Sequence, residues 1–339
     1  MDKISANGKS DEGPREIIWL LTARCNLACC HCYTARFLGK GELEPDQAVR
    51  LVKDASNAGV RHIGFSGGEV FLRQDTLELI DLASKLGMST SVVTNGSTLN
   101  EEVVEKLANY QVYTVLSIDG ATKEIHEKIR GIGSWDFLIP AMERMRQFGV
   151  HFSTVMAANQ VNYQHVSEYI ALAQHSGALA ACLIPVMPTG RANMELILQP
   201  EQMLTVLQAA DKAAETLKFW VPLWCTSFAG LVTNSPYITA DFCRDEETET
   251  IIAPSGDVLL CDVLDIILSN VQEKGLVKAW QERTEHPVFE ALTNPGLSKP
   301  CLDCPLKSTC KGGCFARAEL ISGDLFAPDP LCPRVAKVL

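Results

Sequence analysis

Apolar, β-branched runs recur through the first half of the chain, at Ile17–Leu21, His62–Phe65, Thr90–Val93, Tyr113–Ile118, Phe152–Met156 and Ala180–Val186. Between them lie stretches whose apolar residues repeat at helical spacing, as in PDQAVRLVKDASNAG, DTLELIDLASKLG, WDFLIPAMERMRQFG and YQHVSEYIALAQHSG. Pro45 suits a first helical position and Gly59 a stop. In EEVVEKL, Val103, Val104 and Leu107 share one face and leave the glutamates outside, the pattern of a scaffold helix. Six strand-then-helix units predict an α/β fold with a parallel sheet and right-handed crossovers, either open or curved into a partial barrel. A last helix starts at Pro200, and beyond Phe219 periodicity gives way to short apolar pieces, turn signals and cysteines. The chain therefore divides into a polar leader, 1–16, a βα region, 17–218, and a small irregular cysteine-rich α+β region, 219–339.

Composition narrows the class. With 339 residues, 47% hydrophobic and 21% charged, the chain is globular and long enough to bury a core without crosslinks. A net charge of −11 argues against a general nucleic-acid binder. The start, MDKISANGKSDEGPRE, lacks the apolar stretch of a secretory signal, and no apolar run approaches the roughly 18 residues needed to cross a bilayer. These features predict a cytoplasmic protein with no membrane or nucleic-acid partner. In that compartment its 13 cysteines point to metal or catalysis before disulfides.

Four of the cysteines follow the first strand, in TARCNLACCHCY. Cys25, Cys29 and Cys32 are spaced C-x3-C-x2-C, with Cys30 an extra thiol inside. Three thiolates on one loop select zinc or an iron–sulfur cluster. A structural zinc site wants four protein ligands, which His31 or Cys30 would have to complete, whereas three leave a position open. Glycine-rich or polar loops end four other strands: FSGGEV, TNG, SIDG and IPVMPTGRA. Each alone reads as a turn, but all share the rim where barrel enzymes keep their active sites. The paired glycines of GGE would let backbone approach a ligand closely, with Glu69 adding a carboxylate.

Seven further cysteines lie beyond residue 240. Cys243 and Cys261 form C-x12-G-x4-C, Cys301, Cys304, Cys310 and Cys314 form C-x2-C-x5-C-x3-C, and Cys332 follows in PLCPR. Zinc ribbons and iron–sulfur clusters both use such thiolate sets. Cys182, inside the sixth apolar run, reads as core.

CNLACCHCY after a first strand resembles the signature of the radical S-adenosylmethionine (radical SAM) family. That resemblance implies a partial (βα)6 barrel in which Cys25, Cys29 and Cys32 hold a 4Fe–4S cluster whose fourth iron binds S-adenosylmethionine (SAM). It places Tyr33 against the cofactor, and gives Gly67, Gly68, Glu69, Thr94, Asn95, Ser117, Asp119 and Arg130 contacts to its methionyl, ribose and carboxylate groups. Val70 stands where the family usually has proline.

The tail resembles the SPASM extension of a radical SAM subfamily, which carries two auxiliary 4Fe–4S clusters. By that resemblance Cys243, Cys261 and Cys314 serve one cluster and Cys301, Cys304, Cys310 and Cys332 the other. The first is then one protein ligand short. Cys225 is open to three readings: a buried core thiol, the fourth ligand, or a hydrogen-atom donor to a substrate radical. Asp262, directly after Cys261, is a candidate proton acceptor or a solvated carboxylate.

The implied activity is reductive cleavage of SAM to a 5′-deoxyadenosyl radical that abstracts hydrogen from substrate. A ribosomally made peptide or protein is the first substrate reading, and a tetrapyrrole or antibiotic sugar the alternative. A flavodoxin or ferredoxin would donate electrons. Only about sixteen residues precede the first strand, so a leader-binding protein would be a separate partner. A zinc-stabilised scaffold and a passive iron–sulfur electron carrier are the remaining readings.

Overall fold

The computed structural model describes residues 13–241 and 248–338. All six expected strands are present, as β1 (Glu16–Thr22), β2 (His62–Gly67), β3 (Ser89–Thr94), β4 (Tyr113–Ser117), β5 (Phe152–Ala158) and β6 (Ala181–Pro185). They lie side by side in chain order and pair in parallel. The crossovers are α1 (Pro45–Asn57), α2 (Thr76–Lys85), α3 (Glu101–Asn109), α4 (Lys123–Arg130) with α5 (Ser134–Gln147), and α6 (Val166–His175), while α7 (Pro200–Leu217) follows β6.

Local chemistry explains where these helices start and stop. Pro45 is the first residue of α1, behind a capping box in which Glu44 and Gln47 satisfy each other's backbone N–H groups. Gly59, at φ +87°, lets the chain turn from α1 toward β2 in a conformation that side chains disfavour. The two-residue alternation of β1 sends Ile17, Trp19 and Leu21 into the main core with Leu51, Val52, Leu79 and Ile80 of α1 and α2. Leu20 packs on the opposite face with Ala23, Phe37, Ala253 and Leu259. Trp19 is fully buried with its ring 5.8 Å from that of Phe65, and burial of such a side chain contributes about 1.5–3 kcal/mol.

The same sheet continues into the cysteine-rich region. On the β6 side it gains β7 (Val221–Leu223) and β8 (Ile238–Ala240), both parallel. On the other side β9 (Glu249–Ile252) pairs in parallel with β1, from Glu16↔Glu249 to Trp19↔Ile252. Then β10 (Asp257–Leu259) and β11 (Ile267–Asn270) add antiparallel. The result is an open eleven-stranded sheet of order β11-β10-β9-β1-β2-β3-β4-β5-β6-β7-β8. β1 is thereby an interior strand, and the cysteine loop springs from its end. Among the described residues no helix is long and apolar enough to cross a membrane.

Candidate active site and auxiliary cysteine sites

The cysteine loop is anchored at its root by backbone contacts that need glycine at positions 67 and 68. Gly68 N–H donates to Thr22 O at 2.7 Å and Glu69 N–H to Arg24 O at 2.9 Å. A Cβ on Gly68 would stand 2.1 Å from Arg24 O, and one on Gly67 2.3 Å from Thr22 O. The close approach expected of these glycines is therefore made to the root of the cysteine loop. Gly190, in the loop after β6, does the same for the loop's far end: its Cβ would lie 2.3 Å from Cys32 O, and Arg191 N–H donates to that oxygen at 3.0 Å.

The thiols meet donors suited to thiolates. Cys25 Sγ accepts from Leu27 N–H at 3.4 Å and from Asn95 Nδ2 at 3.7 Å, and Cys32 Sγ lies 3.2 Å from the Thr34 hydroxyl. Cys29 is buried, and burial pushes its thiol up to about 11, with Arg130 opposing. Cys30 is exposed, and its N–H donates to Ile129 O at the end of α4.

Two fully buried carboxylates brace the loop. Glu69 accepts from Thr94 Oγ1 at 2.8 and 2.9 Å, from Asn95 N–H at 2.9 Å and from Thr98 Oγ1 at 3.0 Å. Burial raises its carboxyl, against these hydrogen bonds. Asn95, so aimed, donates to Asn26 Oδ1 at 3.0 Å as well as to Cys25. Glu69 thus faces protein donors from three residues.

Asp119 pairs with Arg130 Nε at 2.6 Å and His31 Nε2 at 3.4 Å, and accepts from Ala157 N–H at 2.7 Å. Burial pushes its carboxyl up, but Arg130, His31 and His126 outweigh that and hold it below the usual range. Burial lowers both His31 and His126 to about 4, so each imidazole is neutral at pH 7. Arg130 and Asp119 therefore meet each other beneath the loop, and Ser117 is buried at the end of β4 beside them in sequence.

Tyr33 donates its hydroxyl to the Asp262 carboxylate and accepts from Ser66; burial drives its phenol well above the usual range. Asp262 also receives Cys261 Sγ at 3.5 Å, and burial raises its carboxyl. Arg36 donates to Leu264 O at 2.9 Å and pairs with Asp265 at 3.3 Å, tying the first cysteine loop to the segment after Cys261. The aspartate is half-buried and takes protein hydrogen bonds.

Cys301, Cys304, Cys310 and Cys332 line one apolar cavity, closed by Phe228, Leu231, Leu306 and Val335. Cys310 Sγ lies 3.6 Å from the Ser227 hydroxyl. Cys314, Cys225 and Cys261 belong to a second apolar cluster with Met187, Leu260 and Phe315. Cys314 Sγ accepts from Arg317 N–H at 3.4 Å. Cys243 lies outside the described residues. Among the described residues no three His, Cys, Asp or Glu side chains converge closely enough for a single ion. The thiol sets, with N–H and O–H donors at their sulfurs, fit cluster ligation.

Arg36, Arg317 and Asp329 escaped sequence reading. Isolated polar residues carry no spacing signal, and their burial is visible only in three dimensions.

Residues 19–173 match the family model described as the radical SAM superfamily, and residues 243–305 match SPASM, an iron–sulfur cluster-binding domain. An AdoMet-dependent heme synthase of Methanosarcina barkeri is 27% identical over 339 residues, covering 94% of this chain and 96% of the relative. Mycofactocin maturase MftC of Mycobacterium ulcerans is 28% identical over 331 residues, covering 95% and 88%. The fold is that of Streptococcus suis SuiB bound to S-adenosylmethionine, with TM-score 0.72 at 18% identity, over 95% of this chain and 77% of that one.

Proposed function

The chain belongs to the radical SAM family and carries a C-terminal SPASM domain, and from this premise we propose that it modifies a ribosomally made peptide or protein by crosslinking, epimerisation or oxidation. It is an enzyme using SAM, a SAM-binding 4Fe–4S cluster and auxiliary 4Fe–4S clusters. These cofactors supply reductive SAM cleavage and a 5′-deoxyadenosyl radical that abstracts hydrogen. Cys25, Cys29 and Cys32 hold the SAM-binding cluster, on a loop that Gly67, Gly68 and Glu69 fix in place. Thr94 and Asn95 set the β3 side of the pocket, Ser117, Asp119 and Arg130 the β4 side, and Tyr33 the side facing the SPASM domain. Cys243, Cys261 and Cys314 serve one auxiliary cluster; Cys301, Cys304, Cys310 and Cys332 the other. Asp262, half-buried beside Tyr33, is the candidate proton acceptor.

The observation that carries the reading is the three-thiol loop on an interior strand, with donors at its sulfurs and a rim of polar loops beside it. The open sheet leaves room for an extended chain, and MftC is a maturase by name. A tetrapyrrole substrate is the second reading, favoured by the heme synthase relative that this chain matches over 96% of its length. A flavodoxin- or ferredoxin-type donor and, for a peptide, a separate leader-binding protein complete the partners. The cysteine usage of the sequence supports a reducing, cytoplasmic setting.

Incubating the reduced, reconstituted enzyme with SAM and host peptide extract tests this. A peptide whose mass changes in step with 5′-deoxyadenosine formation is the expected result. Turnover with a tetrapyrrole and none with peptides would replace it by the second reading.

A further inference from the structure

Strands send alternate residues to opposite faces of a sheet. From β3 to β6 one set, Val92, Leu116, Met156 and Leu183, packs with the helices in the main core. The other set faces away from the helices, where Val115, Val155 and Cys182 form a separate buried cluster with Val93, Ile184 and Trp224 packed against it. On this second face Val93, Ala157 and Ile184 are half-buried, and each is the second-last residue of its strand, β3, β5 or β6. Trp224, also half-buried, directly follows β7. Because these strands run parallel, all four residues stand on the rim that carries the cysteine loop and Asn95. The buried cluster lies one layer deeper and closes the floor, so the recess is one side chain deep.

Trp224 is held there by its backbone. Its N–H donates to Leu183 O at 2.8 Å and its carbonyl accepts from Thr226 Oγ1 at 3.0 Å. Cys225, at φ +53°, then turns the chain away. The indole has an apolar body against aliphatic neighbours, and its Nε1–H donates to none of the described residues. Such a ring suits a ligand that is apolar at one point and offers an acceptor at the next. A peptide has that alternation, of side chain and backbone carbonyl. A charged side chain lowered into this recess would lose its water and meet methyl groups and an indole, which is costly.

We propose that Trp224, with Val93, Ala157 and Ile184, sets substrate specificity by receiving an uncharged, apolar side chain of the peptide, while the indole N–H donates to a backbone carbonyl beside it. This rests on the peptide reading above. The hydrogen abstracted then belongs to an aliphatic or aromatic residue.

The test uses the reconstituted full-length enzyme with SAM and pools of acetylated, amidated hexapeptides. One position is perdeuterated Leu, Val, Phe, Lys or Glu, the others are randomised, and the readout is deuterium in 5′-deoxyadenosine. Label from the Leu, Val or Phe pools should exceed that from Lys or Glu by at least about tenfold. W224F keeps a ring but loses the donor, so KM for the best pool should rise about three- to tenfold with kcat kept. W224A should also lose most of the apolar preference, and W220F, a change at an exposed tryptophan, should alter neither. Variants are compared at wild-type iron content. Equal or greater label from Lys or Glu in the wild type would overturn the proposal, and needs no variant to fold. An unchanged KM in W224F together with an unchanged preference in W224A would overturn it too. Label from no pool would also overturn it, and label then arriving from a deuterated tetrapyrrole would show that the peptide reading had failed with it.

Discussion

Glu69 and Asp119 are both sealed from water, and different partners meet them. Glu69 has only neutral donors, from Thr94, Asn95 and Thr98, whereas Asp119 faces the Arg130 cation. In E69Q an amide N–H₂ would be turned on groups that themselves donate, at a cost of about 1–3 kcal/mol. We expect a lowered Tm and slowed SAM cleavage, since Asn95 loses its bearing on Cys25; unchanged 5′-deoxyadenosine formation would contradict this. His126 makes a pH prediction. Its folded value of about 4 lies below its ordinary 6.5, so the unfolded chain takes up the proton first as pH falls. Stability attached to the neutral imidazole is present above pH 6.5 and is lost progressively toward pH 4, by at most about 3 kcal/mol. Urea melts at pH 7 and 4.5 should show a smaller loss in H126Q than in wild type. Equal losses would remove His126 from the account.

Among elements, β1 has the most consequence, because its end and the end of β2 must touch for the cysteine loop to form. A Cβ at position 68 meets a backbone oxygen that no rotamer change can clear. G68A should therefore cost roughly 1–3 kcal/mol or more and strip the SAM-binding cluster, visible as about four irons lost with the auxiliary signals retained. Full iron in G68A would show that the loop has slack. The first six strands were legible because each is long and apolar and is followed by a periodic helix. β9, β10 and β11 were not, because three or four residues such as Asp257–Leu259 carry no measurable period. α4 was missed too: its eight residues bury little beyond His126, Ile129 and Arg130. The cysteine spacing was readable without the fold, whereas the turning of Glu69 and Asp119 onto protein partners depends on loops distant in sequence.

At the scale of the whole molecule, the two regions read from sequence share one sheet. Strands from beyond residue 218 extend it at both edges, and β9 covers the flank of β1 that β2 leaves open. A chain cut after residue 241 would expose that flank as an unpaired apolar edge. We expect such a truncation to aggregate or to lose helical signal on circular dichroism; a monodisperse, folded fragment would show that the βα region stands alone. Buried pairs bind the tail internally as well. Arg317 and Asp329 are both fully buried, and D329N should leave the guanidinium without its counter-charge at about 3–5 kcal/mol. Thermal melts of D329N beside a surface control such as D324N would check this.

The pairing of β9 with β1 also sets a timetable for synthesis. More than two hundred residues separate the two strands, and at about 5–20 residues per second a ribosome needs on the order of ten to fifty seconds to deliver the second. Throughout that interval the nascent chain displays Cys25, Cys29 and Cys32 on a loop that leaves a strand with one bare flank. If the loop takes up iron only once β1 is paired on both flanks, chains stalled short of residue 249 should emerge colourless from cells that load the finished protein.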